Sequence, residues 1–113
     1  MKKLVVSTIA GILLLSGKCQ AGFIDGVISP TTIANALTQK DDTPVTLEGK
    51  ITKHLHKDKY LFTDDTGTVT VEIDRQDWNG IDVTPADTVR IRGEVDKGWY
   101  DTKIDVDSIE IVP

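Results

Sequence analysis

The stretch Val45–Ile73 constrains the fold most, because its apolar and polar residues alternate with the period of two that is typical of β-strands. Two turn signals, His56-Lys57-Asp58 and Asp64-Asp65-Thr66-Gly67, divide this stretch. In the second turn, Gly67 is free to take a positive φ. We therefore expect three consecutive strands, at Val45–Leu55, Lys59–Thr63 and Thr68–Ile73.

Two further strands and one helical turn follow, and we expect them at Thr88–Val95, Tyr100–Val112 and Asp74–Gly80. Gly49 and Gly93 occupy positions where the alternation requires an apolar side chain, and a glycine at such a position marks a sharp bend or a bulge. In the last strand the alternation changes phase between Val106 and Ile109. This change predicts a bulge at Asp107-Ser108.

The segment before the first strand is typical of a short helix. Ser29 is a good N-cap, and Pro30 suits the first helical position, so we expect a helix from Pro30 to about Gln39. Five strands in an open sheet would expose two edges, whereas a bent first strand and a kinked last strand allow closure. We therefore expect an all-β protein, β-rich with short helices: a five-stranded OB-fold barrel with an N-terminal helix. The alternative is an open α+β sheet.

Residues 1–21 have the features of a secretory signal peptide. Two lysines precede the apolar run Leu4–Leu15, and a cleavage site ends at Ala21. The apolar run is shorter than the roughly 20 residues that a membrane anchor needs. We therefore expect a cleaved signal peptide, a single OB-fold domain at residues 22–113, a periplasmic location and no stable membrane insertion.

The charge and the cysteine content exclude several classes of function. Cleavage would leave 10 basic and 18 acidic residues, a net charge of −8, which disfavours nucleic acid and anionic membrane surfaces. It would also remove Cys19, the one cysteine of the sequence, and with it any disulfide or thiol chemistry. The sequence contains no recognisable catalytic motif or phosphate-binding glycine loop. We therefore expect a monomeric, non-enzymatic protein without a cofactor.

Five blocks of sequence resemble the bacterial OB-fold (BOF) family in the same order. They are VTLEGKI, KYLFTDDTGTVTVEID, Trp78-Asn79-Gly80, RIRGEVDK and TKIDVDSIEIV. The resemblance covers about Ile33–Val112. It implies an OB barrel with an N-terminal helix and a periplasmic, non-enzymatic binding role in tolerance to oxidative, metal or envelope stress. The family provides no catalytic or ligand motif that can be transferred to this sequence.

An OB barrel binds its ligands on the face of strands two and three, between the loop that joins strands one and two and the loop that joins strands four and five. Here these loops carry the candidate ligand-binding residues His54, Lys57, Lys59, Trp99 and Tyr100. We expect Trp99 to stack on a ring of the ligand and Lys57 or Lys59 to meet an anionic group. The ligand would be an envelope glycan or another small molecule, with peptidoglycan fragments first. Alternatively, Trp99 caps the barrel core, because indoles are usually buried.

Two other features leave alternatives open. Tyr60 and Phe62 share one face of a strand, which is either the core or an aromatic platform on the outer surface. His54 and His56 are spaced to lie on one face of a strand, where two imidazoles could bind a metal cation. Cation binding or sequestration is therefore one alternative function. A protein–protein adaptor that docks through an exposed strand edge is another.

Overall fold

The computed structural model describes residues 29–113, and this part of the chain contains five β-strands and two short helical elements. The expected signal peptide (residues 1–21) and residues 22–28 lie outside the described residues. In chain order the elements are α1 Ile33–Ala36, β1 Pro44–His56, β2 Lys59–Asp64, β3 Gly67–Ile73, a 3₁₀-helix Arg75–Trp78, β4 Val89–Lys97 and β5 Thr102–Ile111. Within residues 29–113, no helix is long and apolar enough to cross a membrane.

The five strands form a closed barrel in the order β1-β2-β3-β5-β4, and β4 pairs back onto β1. β3 and β5 are parallel, while the other four pairs are antiparallel. Each strand lies within two residues of its expected position. The expectation of an all-β, five-stranded OB barrel is therefore confirmed, and the open α+β sheet is wrong.

β1 is long because it serves two neighbours. Its residues 44–49 pair with β4, and its residues 50–56 pair with β2. Gly49 lies at the changeover, where an added Cβ would overlap the carbonyl oxygen of Thr63. Gly93 lies inside the barrel, where an added Cβ would overlap the carbonyl oxygen of Asp105. The two glycines therefore allow a close approach of backbones that any side chain would prevent.

β5 contains the bulge that the change of phase predicted. Arg92 on β4 is opposite Ser108, and the next residue, Gly93, is opposite Val106. Asp107 is therefore the extra residue in β5. A bulge of this kind bends the strand and increases its twist, which helps a small barrel to close.

α1 is shorter than expected, with a single turn that begins at Ile33. Thr32 is the N-cap, and its Oγ1 accepts a backbone N–H from the first turn at 3.1 Å. The expected cap at Ser29 and the expected end at Gln39 are wrong. The N–H of Thr31 donates to the carbonyl oxygen of Thr46 at 2.8 Å and keeps the preceding backbone extended. This non-local bond outweighs the local helix signal.

The core of the barrel combines apolar side chains from α1 and from all five strands. Phe62 is fully buried, whereas Tyr60 is half-buried and packs at the edge of the core with Trp78. Tyr60 and Phe62 therefore belong to the core side of β2, and Leu61 faces outward. Burial of a large apolar side chain contributes about 1.5–3 kcal/mol, so this core is the main source of stability.

Candidate functional site

The β4–β5 hairpin ends in two aromatic side chains that lie in solvent. Trp99 is 97% exposed and Tyr100 is 100% exposed. The alternative in which Trp99 caps the barrel core is therefore wrong, because residues 98–101 project beyond the last β4–β5 pair, Lys97 and Thr102. Exposed large apolar rings are typical of surfaces that contact a ligand or partner.

The base of this hairpin is fixed although its rings are exposed. The N–H of Gly98 donates to the carbonyl oxygen of Asp101 at 2.7 Å and closes the tip. The N–H of Lys97 donates to Oδ1 of Asp41 at 2.9 Å, and Nζ of Lys97 donates to the carbonyl oxygen of Leu37 at 3.2 Å. A shallow pocket of about 300 Å³ beside the tip is lined by Lys97, Gly98 and Trp99.

The β1–β2 turn holds the second group of candidate residues. Lys57 takes a left-handed φ of 51°, and the Nε2–H of His54 donates to the carbonyl oxygen of Lys57 at 2.8 Å. The His54 ring stacks on Tyr60 with centroids 4.6 Å apart, and Tyr60 meets Trp78 edge-on at 5.3 Å. His54 therefore stabilises the turn. A second pocket, of about 190 Å³, lies here and is lined in part by Lys57, Tyr60 and Trp78.

A bulge in β1 separates the two histidines. His54 is opposite Tyr60 and His56 is opposite Lys59, so Leu55 is an extra residue in β1. Lys59 and Tyr60 are consecutive in β2 and point to opposite faces of the sheet. The expectation that His54 and His56 share one face is therefore wrong, and the geometric basis for a metal site built from both imidazoles is lost.

The outer surface of β3, β5 and β4 carries a network of charges around Lys103. Its Nζ lies 2.7 Å from Glu72 Oε1, 2.8 Å from Asp96 Oδ2 and 3.3 Å from Asp105 Oδ1. Burial opposes the charged form of Lys103, but the three carboxylates outweigh it and raise its pKa. The hydrogen bond from Lys103 lowers the pKa of Glu72, which also pairs with Lys59 at 3.5 Å. Lys59 is therefore already held by a carboxylate of the protein.

Asp64 organises the β2–β3 turn. Its Oδ1 accepts the N–H and the hydroxyl of Thr66 at 2.7 and 2.6 Å and the N–H of Gly67 at 3.2 Å, while its Oδ2 accepts the N–H of Ile33 at 2.9 Å. Burial alone would raise the pKa of Asp64, but these hydrogen bonds outweigh it and lower the pKa. The expected positive φ at Gly67 is wrong, since Gly80 is the glycine with a positive φ (76°) in the described chain.

Three carboxylates converge beside the β1–β2 turn. One oxygen each from Asp58, Glu72 and Asp74 lies within 4.8 Å of the others. The pKa of Asp74 is raised, mainly by partial burial and to a smaller extent by repulsion from the carboxylates of Asp58 and Asp77. No spacing in the sequence indicates this group, because Asp58 lies in a turn that is joined to the end of β3 by a hydrogen bond from the N–H of Ile73 to the carbonyl oxygen of Asp58, at 2.8 Å.

The five candidate residues lie on two separate parts of the surface. Trp99 lines the pocket at the β4–β5 tip, and Lys57 lines the pocket at the β1–β2 turn. Among residues 29–113, no hydrogen bond, ion pair or ring contact joins residues 54–59 to residues 97–101. A larger open pocket of about 410 Å³ lies elsewhere, between the bend of β1 and the β2–β3 turn. The role of the five residues in binding stays a prediction.

A small closed OB barrel with surface pockets and an exposed aromatic hairpin defines a small binding protein of the OB-fold class. The family model described as "Bacterial OB fold (BOF) protein" matches residues 16–111. Because this match covers most of the sequence, the chain belongs to the bacterial OB-fold family. The resemblance seen in the sequence is therefore confirmed.

Individual relatives agree with this assignment. The chain is 50% identical over 84 residues to protein YgiW of Escherichia coli K12. The aligned region covers 74% of this chain and 65% of YgiW, so the chain spans slightly less than two thirds of this relative. It is 38% identical over 94 residues to the calcium-regulated OB-fold protein CarO of Pseudomonas aeruginosa, covering 81% of each chain. The solved structure of E. coli YgiW matches with a TM-score of 0.73 over 74% of this chain and 90% of that chain.

Proposed function

We propose that this protein is a periplasmic, non-enzymatic OB-fold binding protein that supports tolerance of envelope or oxidative stress. Its proposed ligand is an envelope glycan, and peptidoglycan fragments are the first candidates. The observation that carries the proposal is the exposure of Trp99 and Tyr100, at 97% and 100%. Covering the face of an aromatic ring with an apolar surface removes that face from water and lowers the free energy. The apolar face of a sugar ring can cover an aromatic ring in this way.

The surroundings of the two rings suit a small polar ligand. The pocket of about 300 Å³ at the tip is at the lower end of the range for small-molecule sites, which is roughly 300–1,000 Å³. Lys97 lies in this pocket and offers a positive charge to a carboxylate of the ligand. Because the hairpin base is hydrogen-bonded to Asp41 and Leu37, little backbone order has to be gained on binding.

The residues of the β1–β2 turn have a secondary role in this proposal. Lys57 is exposed and meets an anionic group of a ligand that extends beyond the tip pocket. Lys59 contributes less, because Glu72 already pairs with it. His54 acts through the turn, since its ring nitrogen is bonded to the carbonyl oxygen of Lys57.

The test is an NMR titration of the isotope-labelled, processed protein with purified muropeptides. We expect shifts of the Trp99 indole and Tyr100 signals, and an affinity about two- to tenfold weaker for Trp99→Ala, because an aromatic contact contributes about 0.5–1.5 kcal/mol. Leu55→Ala is the matched control, since Leu55 is a 38% exposed apolar residue on the other hairpin. If muropeptides shift no signal at the tip, glycan binding there is wrong.

The stress role has its own test. A strain without the gene is expected to tolerate peroxide and envelope-active agents less well than its parent. Wild-type protein should restore tolerance and Trp99→Ala should not, at equal protein levels. Equal rescue by both proteins would separate the stress role from the β4–β5 tip.

Binding of a divalent cation is a second candidate function. It is supported by the convergence of Asp58, Glu72 and Asp74, because calcium prefers carboxylate oxygens. Titration calorimetry with calcium and zinc tests it, with Asp74→Asn as the variant and the exposed Asp65→Asn as the control. Binding weaker than millimolar, or equal binding by both variants, would exclude this group as a cation site.

A further inference from the structure

One part of the barrel carries a positive formal charge, whereas the rest of the described chain is strongly acidic. We define the β1–β2 arm as residues 50–63, which contain the part of β1 that pairs with β2 and most of β2 itself. The arm contains four lysines and one aspartate, a formal charge of +3. Residues 29–49 and 64–113 contain six basic and sixteen acidic residues, a formal charge of −10. The domain is therefore strongly polarised although its net charge is negative.

Three of the four lysines of the arm are free of internal partners. Lys50, Lys53 and Lys57 are exposed, and none of them forms an ion pair within residues 29–113. Lys50 is opposite Thr63 and Lys53 is opposite Leu61, so both lie on the outer face of the β1–β2 pair. Their charges are therefore available to a partner of opposite sign.

The acidic groups of the barrel cancel these charges only in part. Lys50 lines an open pocket together with Glu48, Asp64 and Asp65, but none of these carboxylates forms an ion pair with it in the described residues. β2 separates β1 from β3, so the carboxylate of Glu72 on β3 lies two strands, roughly 10 Å, from β1. Glu72 is in addition paired with Lys59 and Lys103. Since the Debye length is about 10 Å at 0.1 M salt, much of the more distant negative charge is screened. The net charge of −8 disfavours binding to an anionic membrane only if the charge is spread evenly over the surface of the domain. The β1–β2 arm departs from such an even distribution.

The arrangement of the lysines indicates the kind of partner. They follow the arm instead of converging on one pocket, and an ammonium group is a point charge without the planar fork of arginine. This suits a surface with many phosphates better than a single bound phosphate. The outer face of β2 presents Leu61 where a single-stranded nucleic-acid site would need a stacking aromatic. Leu55, 38% exposed near the end of the arm, can add an apolar contact at a headgroup layer.

We propose that the β1–β2 arm docks on the phosphate headgroups of an anionic lipid bilayer, peripherally and without insertion of a helix. The contact is electrostatic, with Lys50, Lys53 and Lys57 facing the headgroups and Leu55 at their level. It does not depend on glycan binding at Trp99, so either activity can fail without the other.

The experiment is vesicle flotation at about 0.1 M salt with phosphatidylcholine vesicles, with and without phosphatidylglycerol. The protein is the processed form recovered after export, so that the apolar run Leu4–Leu15 is removed. We expect binding only to the anionic vesicles. The triple variant K50Q/K53Q/K57Q should lower the partition coefficient by about 100-fold, and K50Q/K53Q by about 25-fold, since each lysine near an anionic surface contributes close to one factor of five.

The matched control for K50Q/K53Q is K40Q/R92Q, which removes the same charge from exposed positions outside the arm and outside the tip pocket. It should bind anionic vesicles nearly as well as the wild type, and Trp99→Ala should also bind unchanged. Two results would overturn the proposal: equal flotation with neutral and anionic vesicles, or a loss of binding in K40Q/R92Q equal to the loss in K50Q/K53Q. Loss of binding only in Trp99→Ala would move the docking surface to the β4–β5 tip and would also overturn it.

Discussion

The substitution Asp64→Ala tests whether one side chain holds the β2–β3 turn and the start of α1 together. The carboxylate accepts four hydrogen bonds, and the one from Ile33 joins segments that are far apart in the sequence. Hydrogen bonds to a charged group contribute about 1.5–3 kcal/mol each, but Asp64 is partly exposed and the four bonds share one anion. We therefore expect the free energy of unfolding to fall by about 3 kcal/mol.

The assay is urea unfolding followed by circular dichroism, together with thermal unfolding. A loss of about 3 kcal/mol corresponds to a melting temperature lower by roughly 12–24 °C for a domain of this size. Asp65→Ala is the matched control, because Asp65 is exposed and accepts no hydrogen bond in the described part of the chain. It should change the free energy of unfolding by less than about 0.5 kcal/mol.

The pH dependence gives an independent check on the same side chain. The pKa of Asp64 is lower in the folded protein than its ordinary value, so its contribution is complete above that ordinary value, about 3.9, and is lost as the pH falls through the folded pKa. The stability difference between wild type and Asp64→Ala should therefore shrink below about pH 4. A difference under about 1 kcal/mol at neutral pH, or an equal loss in Asp65→Ala, would refute this account.

Three further substitutions test other parts of the structure. Gly93→Ala should lower the free energy of unfolding by about 3 kcal/mol in urea titrations, because the new Cβ would overlap the carbonyl oxygen of Asp105. A loss below about 0.5 kcal/mol would contradict the close approach of the two backbones. Thr46→Val should raise it by about 1 kcal/mol, since the buried Thr46 hydroxyl has no partner in the described residues; a decrease would show that a partner exists. Asp74→Asn should stabilise the protein at neutral pH and not in acid, because partial burial and the carboxylate of Asp58 raise the pKa of Asp74; a pH-independent effect would argue against repulsion.

The features that the sequence predicted well are those set by strict alternation. Gly49 and Gly93 interrupt the apolar positions of two strands, and both prove to be close backbone approaches. The change of phase around Asp107 proves to be a bulge. In a strand with a period of two, each residue points either to the core or to solvent. A residue that breaks the alternation therefore has few structural explanations. The predicted helix start at Ser29 is wrong because the N–H of Thr31 donates to the carbonyl oxygen of Thr46, which is distant in the sequence.

The candidate site was harder to predict because it depends on where strands stop pairing. The bulge at Leu55 follows from no sequence signal, and it alone moves His54 and His56 to opposite faces. The burial preference of tryptophan failed at Trp99, because a hairpin tip beyond the last strand pair has no core to pack against. The carboxylates of Asp58 and Asp74 meet only through the closure of the β1–β2 turn, which the spacing does not reveal.

The residues that stabilise this barrel and the residues that we propose to bind lie on different parts of it, and this separation decides how binding experiments can be interpreted. Phe62 and Ile91 are fully buried, so their truncation should lower the free energy of unfolding by about 2–5 kcal/mol, and a loss of binding in such a variant would not locate a ligand site. Trp99 and Tyr100 lie beyond the last strand pair, and Lys50 and Lys53 lie on an outer face without internal partners. Substitutions at these exposed positions should leave the free energy of unfolding within about 0.5 kcal/mol of the wild type. A binding defect in such a variant is then a defect of the surface itself.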